Sequence, residues 1–285
     1  MRRRRSAVSE IGYWSEIKLD IIREYASAYS RILSAQKTPR LNHVYIDAFS
    51  GAGFHHSRGT GKLVWGSPTS VLLISPPFKE YHFIDLDKGS IDVLAAQVRQ
   101  RTQGPYDPES VHFYSGDCNS VLLTDVFPRV RFENYSRALC LLDPYGLDVE
   151  WNVMRTAGAM KSIEIFLNFP IMDINRNALW RNPEKVSAKQ RERLTRYWGD
   201  DTWRSAAYTS EGNLFGYEEK ATNDAVAAAF QERLVSAGGF SYVPEPMPMR
   251  NTKGAVVYYL YFASQNSKGA KIVKAIFDKY RSRSC

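Results

Sequence analysis

His43-Val44-Tyr45-Ile46-Asp47-Ala48-Phe49-Ser50-Gly51-Ala52-Gly53 is the stretch around which the rest of the chain arranges itself. Residues 43–47 are rich in β-branched and aromatic side chains, the composition of a short buried strand. The D-x-F-x-G-x-G that follows places two glycines where the chain turns sharply, and glycine lets backbone N–H groups approach a ligand without a Cβ in the way. An acid at a strand end can accept a hydrogen bond from a hydroxyl. The reading is a strand running into a ligand loop. An ordinary strand-to-helix turn is the plainer alternative, and the segments downstream weigh against it.

Residues 81–85 form a second strand ending in Asp85-Leu86-Asp87, and 90–101 have helical periodicity with Ile91, Leu94, Ala95 and Val98 inward. A third strand, 111–115, closes on Gly116-Asp117-Cys118-Asn119. A fourth, 138–142, runs into Asp143-Pro144-Tyr145-Gly146-Leu147, followed by a helix over 151–160 and a fifth strand over 162–169. This alternation predicts βαβ units and a parallel sheet, with ligands bound beyond the carboxyl ends of the strands. Asp47, Asp85 and Asp117 close three successive strands, which favours ligand binding over solvated caps. After the fourth strand, proline fixes φ and removes a donor, so a stiff turn presents an acid and an aromatic ring together. Those are the parts that hold a planar amine: an acceptor for its N–H and a ring to stack on. A tight turn with a buried tyrosine is the plainer alternative.

Taken in order, D-x-F-x-G-x-G, F-I-D-L-D, G-D-C-N and D-P-Y-G-L resemble a class I S-adenosylmethionine-dependent methyltransferase. More narrowly, with Trp14 and Lys18 as W-x-x-x-K in an opening helix and a late Y-Y-L-Y-F-A strand, the chain resembles the three-Cys-motif partner protein family over nearly its whole length. The resemblance implies an α/β, Rossmann-like class I methyltransferase fold. Its sheet would be seven-stranded and mostly parallel with an antiparallel edge strand, joined by an N-terminal helix and a helical insertion. It implies S-adenosyl-L-methionine as cofactor, with Asp47, Gly51 and Gly53 around the methionine moiety and Phe49 of the same loop also binding the cofactor. Asp85, or else Asp87, would bind the ribose hydroxyls, and Asp117 with Cys118 would meet the adenine. Asp143, Pro144 and Tyr145 occupy the catalytic position where nucleobase amino-methyltransferases carry D/N-P-P-Y/F/W. Here Tyr145 stands in place of the second proline and Gly146 in place of the aromatic. D-P-F/Y-G occurs in a similar place in tRNA guanine-N2 dimethyltransferases, so exocyclic-amine chemistry is the expectation and adenine-N6 specificity is not. The resemblance also implies a three-Cys-motif protein as partner, and it speaks more to fold and partner than to substrate.

Composition sets the bounds. The chain has 285 residues, 44% of them hydrophobic, enough for one large α/β domain with a real core. No run of about 18 apolar residues occurs, and Met1-Arg2-Arg3-Arg4-Arg5 precedes no apolar leader, so the expectation is a cytoplasmic protein without a membrane span. Cys118, Cys140 and Cys285 lie far apart without C-x-x-C spacing, which suggests free thiols and neither a disulfide framework nor a zinc site. Net charge is +8, of which Arg2 to Arg5 supply four, leaving about +4 for the rest. That balance is compatible with a polyanionic partner such as a nucleic acid.

Four segments are expected: a basic, disordered arm over 1–12; the opening helix and cofactor-binding part over 13–170; a helical insertion over 171–217; and the C-terminal part of the same domain over 218–285. Trp14, Ile17, Ile21, Ile22, Tyr25, Ala28, Tyr29 and Ile32 mark the opening helix, in which Lys18, although able to face a ligand, reads as solvated. Residues 54–65 read as a polar loop with His55 and His56 exposed, His55 and His56 being a poor metal site because chain neighbours point apart. Gly66-Ser67-Pro68-Thr69 then opens a short helix. The insertion interleaves Arg176, Arg181, Lys185, Lys189, Arg191, Arg193 and Arg196 with Trp180, Trp198 and Trp203. It reads equally as a phosphate-and-base surface or as helices with a Trp-filled underside. A helix over 218–237, strands over 240–243 and 255–263, and a helix over 268–280 complete the chain.

The function expected from these readings is methyl transfer to an exocyclic amine of RNA or DNA. Asp143 or the Pro144 carbonyl would accept the amine N–H, and Tyr145 would stack on the base. The rival, from a different class, is a non-catalytic accessory protein that uses the same fold to bind a three-Cys protein of radical S-adenosylmethionine or phage type. A dehydrogenase is disfavoured because the first loop is not G-x-G-x-x-G.

Overall fold

Seven segments rich in β-branched and aromatic residues pair into one sheet in the computed structural model, which describes residues 9–100, 104–209 and 219–282. They are β1 (Asn42–Asp47), β2 (Glu80–Asp85), β3 (Val111–Ser115), β4 (Ser136–Leu142), β5 (Ile163–Phe169), β6 (Met247–Arg250) and β7 (Val256–Ala263). Their spatial order is β3-β2-β1-β4-β5-β7-β6. The pairs from β3 through β5 are parallel, whereas β7 is antiparallel to both β5 and β6. This is the Rossmann-like sheet of the class I methyltransferase type. Strand order reverses between β1 and β4, and a crevice opens at such a switch point beyond the strand carboxyl ends. The glycine loop after β1 and the D-P-Y-G turn after β4 are therefore neighbours across it, tied by Ala48 N–H donating to Leu141 O at 3.0 Å.

Both faces of the sheet are covered, which is why the central strands read as near-continuous apolar runs. Tyr45, Phe83, Leu139, Leu141 and Phe166 face a core formed with α1 (Tyr13–Ala35), α2 (Ser67–Leu72), α3 (Lys88–Gln100) and α10 (Ser267–Arg281). Val44, Ile46, Cys140, Leu142 and Ile165 face the opposite core. It is built with α4 (Cys118–Val121), α5 (Trp151–Met160), α7 (Ala188–Trp198), α8 (Trp203–Ala207) and α9 (Asn223–Ser236). Each fully buried aliphatic or aromatic side chain contributes about 1.5–3 kcal/mol.

Several expectations need correction. Arg2 to Arg5 lie outside the described residues, but Ser9–Ile11, expected within a disordered arm, is a strand parallel to Phe54–Ser57. The expected polar loop is a hairpin of Phe54–Ser57 and Leu63–Trp65. No strand forms over 240–243, where only an isolated bridge joins Tyr242 and Ser264. The sheet ends instead on β6, inside the proline-rich stretch, and Pro248 is tolerated because an edge strand does not need every N–H. The helices over 171–207, beginning with α6 (Ile171–Asn177), pack on the sheet's own core. Leu194, Tyr197, Trp198 and Trp203 are buried in the same core as Phe169 and Phe230, so the Trp-filled underside is the reading that applies to these two tryptophans. Among the described residues no helix is long and apolar enough to cross a membrane, and Cys118 and Cys140 are free and buried.

Candidate active site

The glycine loop is held open by hydrogen bonds to its neighbours. Asp47 is fully buried; its carboxylate accepts from Phe49 N–H at 3.2 Å and from the Ser67 hydroxyl at 2.5 Å. Burial pushes the Asp47 carboxyl up to about 7 against the pull of those two donors. Asp47 thus fixes the loop from below. Gly51, at φ +58°, donates its N–H to Asp85 Oδ2 at 2.8 Å, and a Cβ there would meet open space. Gly53, at φ +83°, differs: its Cβ position lies 2.7 Å from Leu94 and 2.8 Å from Thr69, so it serves close packing. Phe49 is half-buried beside this loop.

At the next two strand ends, Asp85 also accepts Asp87 N–H at 2.8 Å through Oδ1, while exposed Asp87 accepts the Ser90 N–H and hydroxyl and begins α3. Leu86 between them is 78% exposed, an apolar side chain held in solvent beside a carboxylate. Asp117 is exposed and caps α4 through Ser120 N–H at 3.1 Å. The Cys118 thiol points into the core, where burial pushes it up to about 12. Asn119 clips this loop to the stretch just after D-P-Y-G-L, donating to Asp148 O at 2.9 Å and accepting from Glu150 N–H at 2.8 Å.

Across the switch point the D-P-Y-G turn is anchored from two elements. Asn168, at the end of β5, donates to Asp143 Oδ1 at 3.0 Å and to Pro144 O at 3.1 Å. Lys18 of α1, only 7% exposed, donates to Asp143 Oδ2 and lies 5.2 Å from the centre of the Tyr258 ring. This overturns the expectation of a solvated Lys18. Burial alone would lower its pKa, but Asp143 and Tyr258 together carry it above the ordinary lysine value. Tyr145 is 75% exposed, so its ring is presented rather than buried.

One pocket of about 330 Å³ joins the two loops. Phe49 and Ser50 from the glycine loop, Asp143, Pro144 and Tyr145 from the turn, and Lys18, His55, Asn168, Arg176 and Tyr258 all line it. His55 is half-buried in this wall, not exposed as expected; burial first, then the Lys18 charge, hold its pKa below the usual imidazole value. His56 is exposed. Gly51, Asp85, Leu86, Asp87 and Asp117 lie at the ends of β1, β2 and β3 and do not line this pocket, and Gly53 and Cys118 pack inward. Lys18 was signalled by its place in the W-x-x-x-K motif. Ser67 was legible only as part of a helix-opening turn, and no local pattern distinguished Leu86 or Asn168, the penultimate residue of β5.

No family model and no curated protein matches the chain. Solved structures share its trace. A Legionella pneumophila protein of the DUF519 family is 10% identical with a TM-score of 0.46, covering 92% of this chain and 91% of its own. The methyltransferase domain of bacterial CtHen1 is 10% identical with a TM-score of 0.41, covering 86% and 99%. An S-adenosylmethionine-dependent methyltransferase from Clostridium acetobutylicum is 9% identical with a TM-score of 0.42, covering 87% and 92%. These likenesses concern the course of the chain alone.

Proposed function

We propose that this protein is an S-adenosylmethionine-dependent methyltransferase that methylates an exocyclic amine of RNA or DNA and acts with a three-Cys-motif partner. The observation that supports it most is the single pocket in which the glycine loop and the D-P-Y-G turn meet. The partner rests on the family resemblance alone.

The residues fit the cofactor on observations independent of that resemblance. Gly51 leaves an open cradle that a Cβ would fill. Asp85 stands at the end of β2 as an acceptor for a ribose diol, and Leu86 exposes apolar surface for a purine face. Asp117 supplies an acceptor one strand further on. Asp47, Gly53 and Cys118 would act indirectly, by shaping the loops.

When bound, S-adenosylmethionine supplies a methyl group on a sulfonium that is already reactive. The chain's own residues then orient the acceptor and exclude water, a contribution of about 7–11 kcal/mol for well-aligned groups. Lys18 and Asn168 hold Asp143 and Pro144 in one geometry, leaving remaining lone pairs of both to accept an amine N–H. Tyr145 offers its face to the base. His55, kept neutral, is the pocket's acceptor for the proton the amine sheds. Arg176 at the rim favours a phosphate backbone, and the few kcal/mol needed to flip a paired base favour single-stranded or looped acceptors.

A second reading, a non-catalytic accessory protein, is favoured by one observation: both Asp143 oxygens are already engaged. Calorimetric titration of S-adenosylmethionine and S-adenosylhomocysteine into wild type and Asp85→Ala, followed by mass spectrometry of nucleosides from incubated RNA and DNA, separates the two. The enzyme reading expects micromolar binding that Asp85→Ala weakens at least tenfold, about 1.4 kcal/mol, and a methylated base. Binding without any methylated product, with or without a three-Cys partner, transfers the assignment to the accessory reading. Absence of binding to the folded protein removes the cofactor.

A further inference from the structure

At the opposite end of β2 from Asp85, Glu80 and His82 stand on one face of the strand, as residues two apart must. His112 of β3 is paired in register with His82. Donor atoms of Glu80, His82 and His112 all lie within 4.8 Å of one another, the one such group of three among the described residues. Glu80 lies five residues and His82 three residues from Asp85 along β2, so at about 3.3 Å per residue the cluster is roughly 10–16 Å along the strand from Asp85.

His82 carries a second observation. Its ring is fully buried, its Nδ1 is 3.1 Å from the Tyr114 hydroxyl, and its buried Nε2 has no hydrogen-bond partner. Nε2 faces Glu80 Oε2 at 3.5 Å. In the tautomer that donates Nδ1–H to Tyr114, the Nε2 lone pair faces the Glu80 oxygen and a cation between the two satisfies both; in the other tautomer Nε2–H points at Glu80 instead. Asn42 Nδ2 donates to Glu80 Oε1 at 3.2 Å and so aims the other oxygen at His82, the outer-shell orientation typical of metal ligands.

We propose that Glu80, His82 and His112 form a binding site for a borderline divalent transition metal, zinc in the first instance, which pins the outer strand β3 to β2. Two imidazoles and one carboxylate are a zinc ligand set with a remaining position open to water. Ligand distances near 2.0–2.2 Å require the donors to close to about 3.3 Å of one another. Half-buried His112 and the Glu80 side chain, 35% exposed, have room to make that movement. The site is independent of the proposed methyl transfer.

The test is titration of Zn²⁺ by calorimetry, and of Co²⁺ by its visible absorption, into tag-free, chelator-treated full chain, with Mg²⁺ as the hard-cation control. Wild type is expected to bind about one Zn²⁺ and to gain melting temperature with it. His112→Gln and Glu80→Gln, partly exposed positions that should fold, are each expected to weaken binding at least tenfold and to lose the thermal shift. Co²⁺ should show the intense bands of a low-coordinate site in wild type only. Equal Zn²⁺ affinity in wild type and His112→Gln, or no Zn²⁺ binding by wild type, overturns the proposal.

Discussion

Lys18 and Asp143, 125 positions apart, form an ion pair that joins the opening helix to the turn after β4. The lysine side chain is 9% exposed and the aspartate side chain 23%. The two partners therefore differ in how much each depends on the other, and that difference can be measured.

Removing Asp143 leaves an ammonium in a nearly dry site, whereas removing Lys18 leaves a carboxylate that water can reach. Breaking a buried pair costs about 3–5 kcal/mol when the stranded charge has no other partner. Asp143→Ala is expected to lie in that range, and Lys18→Met to cost less. Urea denaturation of both variants at pH 7 checks the order; equal losses would show that the pair is symmetric in its surroundings.

The two loop glycines are expected to separate stability from binding. A left-handed conformation costs a non-glycine residue about 1–2 kcal/mol, which applies to Gly51→Ala and Gly53→Ala alike. Gly53→Ala adds collisions with Leu94 and Thr69 and should be the less stable, whereas Gly51→Ala puts a methyl into the open cradle. Thermal unfolding should rank Gly53→Ala lower, and titration of S-adenosylhomocysteine should find Gly51→Ala the weaker binder of the two per unit of stability lost.

Tyr145 is exposed, so its replacement should change stability by no more than about 0.5 kcal/mol. A base stacked on it is worth about 1–3 kcal/mol. Tyr145→Ala should therefore raise KM for a nucleic-acid acceptor roughly five- to a hundredfold, while Tyr145→Phe keeps it within about twofold. Steady-state kinetics with both variants decide; a KM unmoved by Tyr145→Ala would take the ring out of acceptor binding.

Glu164 provides a pH signature. It is buried beneath α1, accepts from the Tyr25 hydroxyl at 2.5 Å and the Ser264 hydroxyl at 2.8 Å, and burial raises it from 4.5 to about 7 against both donors. The folded protein thus holds this proton more tightly than the unfolded chain. Its contribution is full below pH 4.5 and is lost as pH rises toward 7, on the order of 3 kcal/mol in all. Relative to Glu164→Gln, wild type should lose stability across that window. Denaturation midpoints of the two proteins at pH 5 and pH 8 give the difference directly.

The local patterns were legible to different depths. Runs such as 43–47, 81–85 and 138–142 predict β1, β2 and β4 within two residues, because burial on both faces leaves little but apolar side chains. The helix over 151–160 coincides with α5. β6 was not legible: Met247-Pro248-Met249-Arg250 has no strand composition, and it pairs only because β7 offers an open edge. At the candidate site, Asp85, Asp117, Asp143 and Tyr145 could be placed at strand ends from sequence, but the inward turn of Asp47, Gly53 and Cys118 could not.

By itself the sequence determined where strands, helices and sharp turns begin, since those follow from side-chain period, glycine and proline over a few residues. It also determined which strand ends carry acids. Only the tertiary structure decided what those acids face. Lys18 meets Asp143, and His82 meets His112, because distant segments come to lie side by side, and no local period encodes which segment will supply a buried charge or a lone pair with its partner.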